Sequence, residues 1–277
     1  MRSDGKKVKN VDPMYRLIPF VLDKRNDAMN MVTIDIPYAP MQKYINEKRK
    51  EGISISHMGL VIASLVRTTA EFPAINRFVV NKRLYYHNDF TVGMVVMRPK
   101  GEDGSMSKMH FELTDDIFQV QKTIDEYVAL NRNPDSNGLD KLMDILLAIP
   151  GMASFAVGFL KALDIFGLLP KSVIEASPFH SSMDITNLAS IRTNHIFHHI
   201  YNFGTTGIFV SMGNTREVPH TDINGNIYLE KCIPMGIVMD ERIAPGGYFG
   251  QVFQRIKQYL KDPTLLEGAP KVVNKDA

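Results

Sequence analysis

The 277-residue chain is 44% apolar and 22% charged, the profile of a soluble globular protein with a sizeable core. Its 32 Lys and Arg against 30 Asp and Glu leave a net charge of +2, too even a balance to point to nucleic acid. A single cysteine, Cys232, rules out a disulfide within the chain and fits a reducing compartment, so the expected location is the cytoplasm.

The amino end, with its basic "GKKVKN", lacks the apolar core and small-residue cleavage site of a signal peptide and reads as a solvated tail over residues 1–18. "AMNMVTIDIP" alternates and is rich in β-branched residues, which predicts a strand. A short charged helix, "APMQKYINEKRKEG", ends at Gly52, and "SISHMGLVIASLVRTTAEFP" has a Ser start signal and helical apolar spacing up to Pro73. "RFVVNKRLYYHNDF" reads as two strands around a tight turn at Asn81-Lys82 whose type is open, because lysine is an unusual second turn residue. "TVGMVVMRP" and "MSKMHFEL" are further strands, and "TDDIFQVQKTIDEYVALNRN" is a helix with Thr114 as its expected N-cap.

Ile145 to Pro170 is apolar but interrupted by Pro150, Gly151, Gly158 and Gly167, and holds Lys161 and Asp164, three apart and able to pair on one helix face. A covered helical hairpin or a mobile apolar lid is the first reading, with a membrane-surface element and a true span as alternatives. Charges in mid-span are costly, so a membrane is not an expected partner. "SSMDITNLAS", "GTTGIFVSMGN" and "IYLEKCIPMGIVMD" are strands. The last helix, "GGYFGQVFQRIKQYLKDP", carries an apolar stripe of Phe249, Val252, Phe253, Ile256 and Leu260. Cys232 lies in an apolar run without any sign of thiol activation and is expected to be a buried thiol. Strands that come both in pairs and between helices predict a mixed α/β sandwich in one domain.

The turn between the last strand and helix, "VMDERIAPGG", carries the chemistry. An apolar strand, this turn, and a helix ending "LKDPTLL" resemble the catalytic domain of the dihydrolipoyl acyltransferases of 2-oxo acid dehydrogenase complexes, which shares its fold with chloramphenicol acetyltransferase. The family signature is D-H-R-x-x-D-G, then a helix ending near L-x-D-P-x-x-L. Asp240, Arg242, Gly246, Asp262, Pro263 and Leu266 match it. "MDITNLASI", the loop "RTNHIFHHIYNFG" and "TTGIFVSMGN" resemble a second family block, and the similarity runs from about Pro19 to Leu266. The lipoyl and subunit-binding domains have no counterpart. The resemblance implies a chloramphenicol acetyltransferase-like two-layer α/β sandwich with a mixed sheet over residues 19–277. It also implies a homotrimer with an active-site channel between subunits, coenzyme A or acyl-CoA as substrate, and a small-molecule acyl acceptor.

The departures fall on the catalytic positions. In the family the signature histidine takes the proton from a thiol, the second acid or an asparagine supports the site, and a hydroxyl on another strand stabilises the tetrahedral oxyanion. Here Glu241 stands for the histidine and Pro245 for the second acid, and the hydroxyl position falls at Thr186, within one residue of Asn187. A free thiol has a pKa of about 8.5, imidazole about 6.5 and Glu about 4.3. The mismatch grows from roughly 2 to roughly 4 units, making proton transfer about 3 kcal/mol harder, on the order of a hundredfold in rate. Burial could restore a Glu pKa of ~6–7, whereas Arg242 next door would hold the carboxylate ionised.

The loop histidines are the other candidates. His195, His198 and His199 lie between two strands that, in the family, border the active-site channel. A structural role is the first reading, with His198 or His199 as a replacement acid or base the second. His195 and His199, four apart if helical, suit a metal in some enzymes, but no Glu is placed as in H-E-x-x-H, so no metal is expected. Coenzyme-binding residues are not assigned. The first functional reading is therefore a coenzyme A-dependent acyltransferase with Glu241, or His199 or His198, as base and Thr186 as oxyanion donor. The alternative is a non-catalytic relative that keeps the fold for assembly or ligand binding.

Overall fold

The long apolar strand in front of the charged turn is the axis of the fold. The computed structural model describes residues 2–97, 104–132, 148 and 150–276. In chain order these form β1 (Gly5–Lys7), α1 (Pro13–Val21), β2 (Met29–Pro37), α2 (Tyr38–Lys50), α3 (His57–Glu71), β3 (Arg77–Val80), β4 (Arg83–His87), β5 (Phe90–Met97), β6 (Gly104–Phe111), α4 (Ile117–Asn131), α5 (Met152–Phe166), α6 (Lys171–Ala176), β7 (Met183–Asn187), β8 (Ile208–Met212), β9 (Arg216–Thr221), β10 (Ile227–Asp240) and α7 (Gly246–Lys261).

A seven-stranded sheet runs in the order β2-β10-β8-β7-β5-β6, with β9 continuing beside β10, and a small sheet runs β1-β4-β3. β7 is parallel to β5 and β8, and the other pairs are antiparallel. One face of the large sheet packs under α2, α3, α4 and α7 in the main core, which takes Ile237 and Met239 of β10. The opposite face holds Val238, Phe209 and Ile200 in a small cluster of their own, with Met29 against it. Successive strand residues point to opposite faces, so β10 separates the two layers residue by residue.

Several local expectations are corrected. Within residues 1–18, expected to be a solvated tail, Gly5–Lys7 form β1 and Pro13 opens α1. Lys6 pairs with Tyr86 in β1–β4, and Arg2 bonds the carboxylates of Asp4 and Asp164 at 2.7–2.8 Å. Asp164 is therefore partnered by Arg2, with His180 at 3.4 Å, and not by Lys161. A carboxylate that is only 4% exposed needs such partners. The fourth helix is capped by Asp116 rather than Thr114. The Asp116 side chain accepts from the backbone of Phe118 and Gln119 while Gln119 reaches back, a capping box. Asn81 and Lys82 both have positive φ, 48° and 56°, the signature of a type I′ turn.

The apolar segment is helical in its described part, but α5 leaves Phe155 76% and Phe166 72% exposed. Its first residues, 145–147 and 149, lie outside the described residues. Among the described residues no helix is long and apolar enough to cross a membrane.

Candidate active site

β10 ends at Asp240, and the turn beyond it is fixed from both sides. Ile243 and Ala244 are fully buried and anchor the turn in the main core, and the Glu241 amide donates to Ala28 O at 2.9 Å. The Asp240 carboxylate, 0% exposed, accepts from Arg242 Nε at 2.8 Å and Nη2 at 2.7 Å, while Arg25 Nε lies 3.5 Å away. Arg242 also donates to Leu22 O and Asp23 O. Arg25 donates to the carbonyls of Tyr201, Gly204 and Val79. Complete burial lowers the Arg25 pKa, and the Asp240 charge works against that shift. Arg242 is thus committed to Asp240 and does not pair with Glu241.

Glu241 is half-buried at the rim of the sheet. Its Oε2 accepts from the Asn30 amide at 2.6 Å, and among the described residues Oε1 has no partner. Asn30 is the register partner of Met239, so this pair opens on the helix side. Pro245 occupies the N-cap of α7 and, lacking a side-chain acceptor, gives no cap hydrogen bond. Gly246, Gly247 and Gly250 face open space at the start of that helix.

The remaining candidates lie on the other face. Thr186, Ser211, Gly236 and Thr33 align in one row across β7, β8, β10 and β2. After a 3-10 turn at Leu188–Ile191, the histidine-bearing part of the loop crosses this row as coil rather than helix. Ser211 Oγ accepts from Ile196 N at 3.1 Å and donates to Ile196 O at 2.5 Å, and His195 Nε2 meets Thr33 Oγ1 at 3.0 Å. Gly236 permits this approach, because a Cβ there would collide with Ile196 O. Burial, then Arg216, lowers the His195 pKa. His198 stacks on Phe209 at 4.4 Å, and its Nδ1 meets His199 O at 2.8 Å. His199 is exposed, so the four-residue pairing of His195 with His199 on one helix face is not formed. The half-buried Thr186 hydroxyl makes no hydrogen bond to the described residues.

The structure therefore gathers Thr186 and the three histidines on one face and leaves Glu241 on the other. Four residues along β10 and two strands across set the Thr186 and Asp240 backbones roughly 16 Å apart. Within one chain the candidate base Glu241 and the candidate oxyanion donor Thr186 are not brought together.

One group near Thr186 was not singled out from the sequence. Asp184, 3% exposed, accepts from Ser181 Oγ at 2.7 Å and stands over Gly93, where a Cβ would overlap its Oδ1. Desolvation raises its pKa to about 6, against the pull of Ser181, Thr206, Arg25 and Lys108. Arg25 was missed as well. The signal for both was a charge inside an apolar or strand-entry stretch, which names a buried partner without saying which.

Solved structures decide the architecture. A probable dihydrolipoamide acetyltransferase from Listeria monocytogenes 4b F2365 superposes with a TM-score of 0.59 at 12% identity, covering 98% of this chain and 99% of that one. Chloramphenicol acetyltransferase superposes at 0.56 and 8% identity over 92% and 99%. The fold is the chloramphenicol acetyltransferase-like fold. A family model, 2-oxoacid dehydrogenases acyltransferase (catalytic domain), matches residues 179–267 of this chain. The matched span holds Thr186, the histidine loop and the Glu241 turn. Dihydrolipoamide acetyltransferase from Azotobacter vinelandii superposes at 0.58 and 12% identity over 93% of each chain, and its catalytic mechanism was investigated through a serine, a histidine and an asparagine. A search of curated proteins by sequence found no match.

Proposed function

We propose that the chain is a coenzyme A-dependent acyltransferase that works as a trimer, with Glu241 of one subunit facing the Thr186 side of the next. The observation that carries this reading is the split itself. Glu241, held by Asn30, opens at the sheet rim, while Thr186 lies free of hydrogen bonds to the described residues on the opposite face. Such halves are useful only across a subunit boundary. The histidine and asparagine investigated in the Azotobacter enzyme are four residues apart, as Glu241 and Pro245 are. Another neighbour is the cubic core of a pyruvate dehydrogenase complex, an assembled particle.

In this mechanism the Glu241 carboxylate takes the proton from the acceptor thiol. The sulfur attacks the acyl carbonyl, and the tetrahedral oxyanion accepts a hydrogen bond from the Thr186 hydroxyl. Collapse breaks the bond to the coenzyme sulfur, and the proton held on Glu241 passes to that leaving thiolate. Incubation with acetyl-CoA and a panel of thiol, amine and hydroxyl acceptors tests this through release of free coenzyme thiol. No release above the uncatalysed rate with any acceptor sinks it.

One observation favours a second reading, a non-catalytic relative. Pro245 replaces a hydrogen-bonding side chain, and Asp240 and Arg242 are locked to each other. Binding of acyl-CoA without turnover would be its signature.

A further inference from the structure

The long hairpin β9–β10 reaches beyond the main sheet. From Cys232 onward β10 pairs with β2 as well, but Ile227–Lys231 pair with β9 alone. A two-stranded ribbon of this kind is marginally stable by itself. Its apolar side chains Ile227 and Leu229 are exposed. Its other face is different. There His220, Glu230 and Cys232 converge from the two strands, with their ligand atoms within 4.8 Å of one another.

Register brings them together. Tyr228 pairs with His220, and Cys232 pairs with Arg216, so residues 216, 218 and 220 share a face with 228, 230 and 232. The Tyr228 ring stacks on the His220 ring at 5.6 Å and fixes its plane. His220 Nε2 lies 3.3 Å from Glu230 Oε2, yet this nitrogen is buried and makes no hydrogen bond. Cys232 is free and buried. An imidazole nitrogen, a carboxylate oxygen and a sulfur aimed at one point form a mixed donor set for a borderline-soft divalent cation.

We infer that this cluster binds a transition-metal dication of the Zn2+ class that staples β9 to β10. Zinc takes nitrogen at about 2.0–2.1 Å and sulfur at about 2.3 Å, which sets tetrahedral ligand spacings of about 3.3–3.6 Å. His220 and Glu230 already stand at that spacing, and closure on Cys232 needs a movement of about 1 Å, within reach of the half-exposed imidazole. Binding releases the thiol proton to solvent, since the thiolate is the ligand. Glu230 and the thiolate balance the dication. The nearest opposing cation by register, Arg216, is matched by Asp35 at 2.9 and 3.1 Å. Three protein ligands leave a fourth position for water. The cluster lies eight residues of strand, roughly 26 Å, from Asp240, so its effect is on the hairpin and not on the turn.

The experiment is a titration of the metal-free protein with Co2+, followed by Zn2+. The expected result is one Co2+ per chain, a near-ultraviolet thiolate-to-cobalt charge-transfer band, tetrahedral visible bands, and displacement of all three signals by Zn2+. Cys232→Ser loses the charge-transfer band. His220→Ala, at a half-exposed position that leaves the core intact, loses the tetrahedral bands. Amide exchange of β9 and of Ile227–Lys231 slows when Zn2+ is added to the native sequence and not to His220→Ala. No binding, or a Co2+ spectrum unchanged in both variants, overturns the inference. So does binding that leaves hairpin exchange unaltered, for the stapling it asserts.

Discussion

Asn30 donates its side-chain amide to Glu241 at 2.6 Å, across the edge between β2 and the end of β10. The bond uses Oε2, and among the described residues Oε1 has no partner. In the proposed mechanism Asn30 is a positioning residue for the base. Glu241→Gln keeps the shape but cannot accept a proton, and a loss of about 10²-fold or more in turnover is expected. The pH-rate profile of the native protein has an acid limb that disappears in this variant. Glu241→His keeps or raises activity toward thiols, its pKa being nearer that of the acceptor. Asn30→Ala lowers kcat more than it changes KM. Full activity in Glu241→Gln, with loss in His199→Ala or His198→Ala, would move the base to the loop.

The division of the site between two faces predicts complementation. Glu241→Gln and Thr186→Ala, each inactive alone, regain part of the activity when unfolded and refolded together, because mixed trimers contain interfaces with both native residues. Light scattering gives three times the 31.3 kDa chain mass. A monomer at micromolar concentration, or mixed material as inactive as its parents, removes the shared site.

Asp240 is the charge on which the turn depends. Asp240→Asn leaves Arg25 and Arg242 without their counter-ion inside the protein, and the expected destabilisation is about 3–5 kcal/mol. Urea unfolding measures it. Glu241→Gln, at the rim, changes stability by less than about 0.5 kcal/mol.

Asp184 predicts a pH dependence. Its folded pKa of about 6 lies above the ordinary aspartate value of 3.8. The unfolded chain therefore loses this proton first, and the stability associated with the group is present at low pH and lost as pH rises from about 4 through 6. A shift of about two units corresponds to about 3 kcal/mol. In Asp184→Asn the difference in unfolding free energy between pH 4 and pH 7.5 shifts by that amount in favour of the higher pH. An unchanged difference would mean that the carboxylate is well solvated. Gly93→Ala, which presses a methyl on the same oxygen, costs about 1–3 kcal/mol.

The sequence by itself determined the local elements and the fold class. Alternation marked β2, an apolar run marked β10, the 3.6-residue stripe marked α7, and the matched Asp240, Arg242 and Gly246 named the turn, because these signals arise from chain neighbours. Thr186 and the histidine loop were named as candidates through the same resemblance. Only the tertiary structure decided who meets whom. One residue of register places Met239 in the main core and Val238 against the histidine loop. It also decides that Arg242 turns inward to Asp240, that Arg25 joins them from the far end of the chain, and that His220 meets Cys232 across the hairpin. Buried charges and converging ligands are satisfied by partners distant in sequence, and a linear pattern holds no record of that distance.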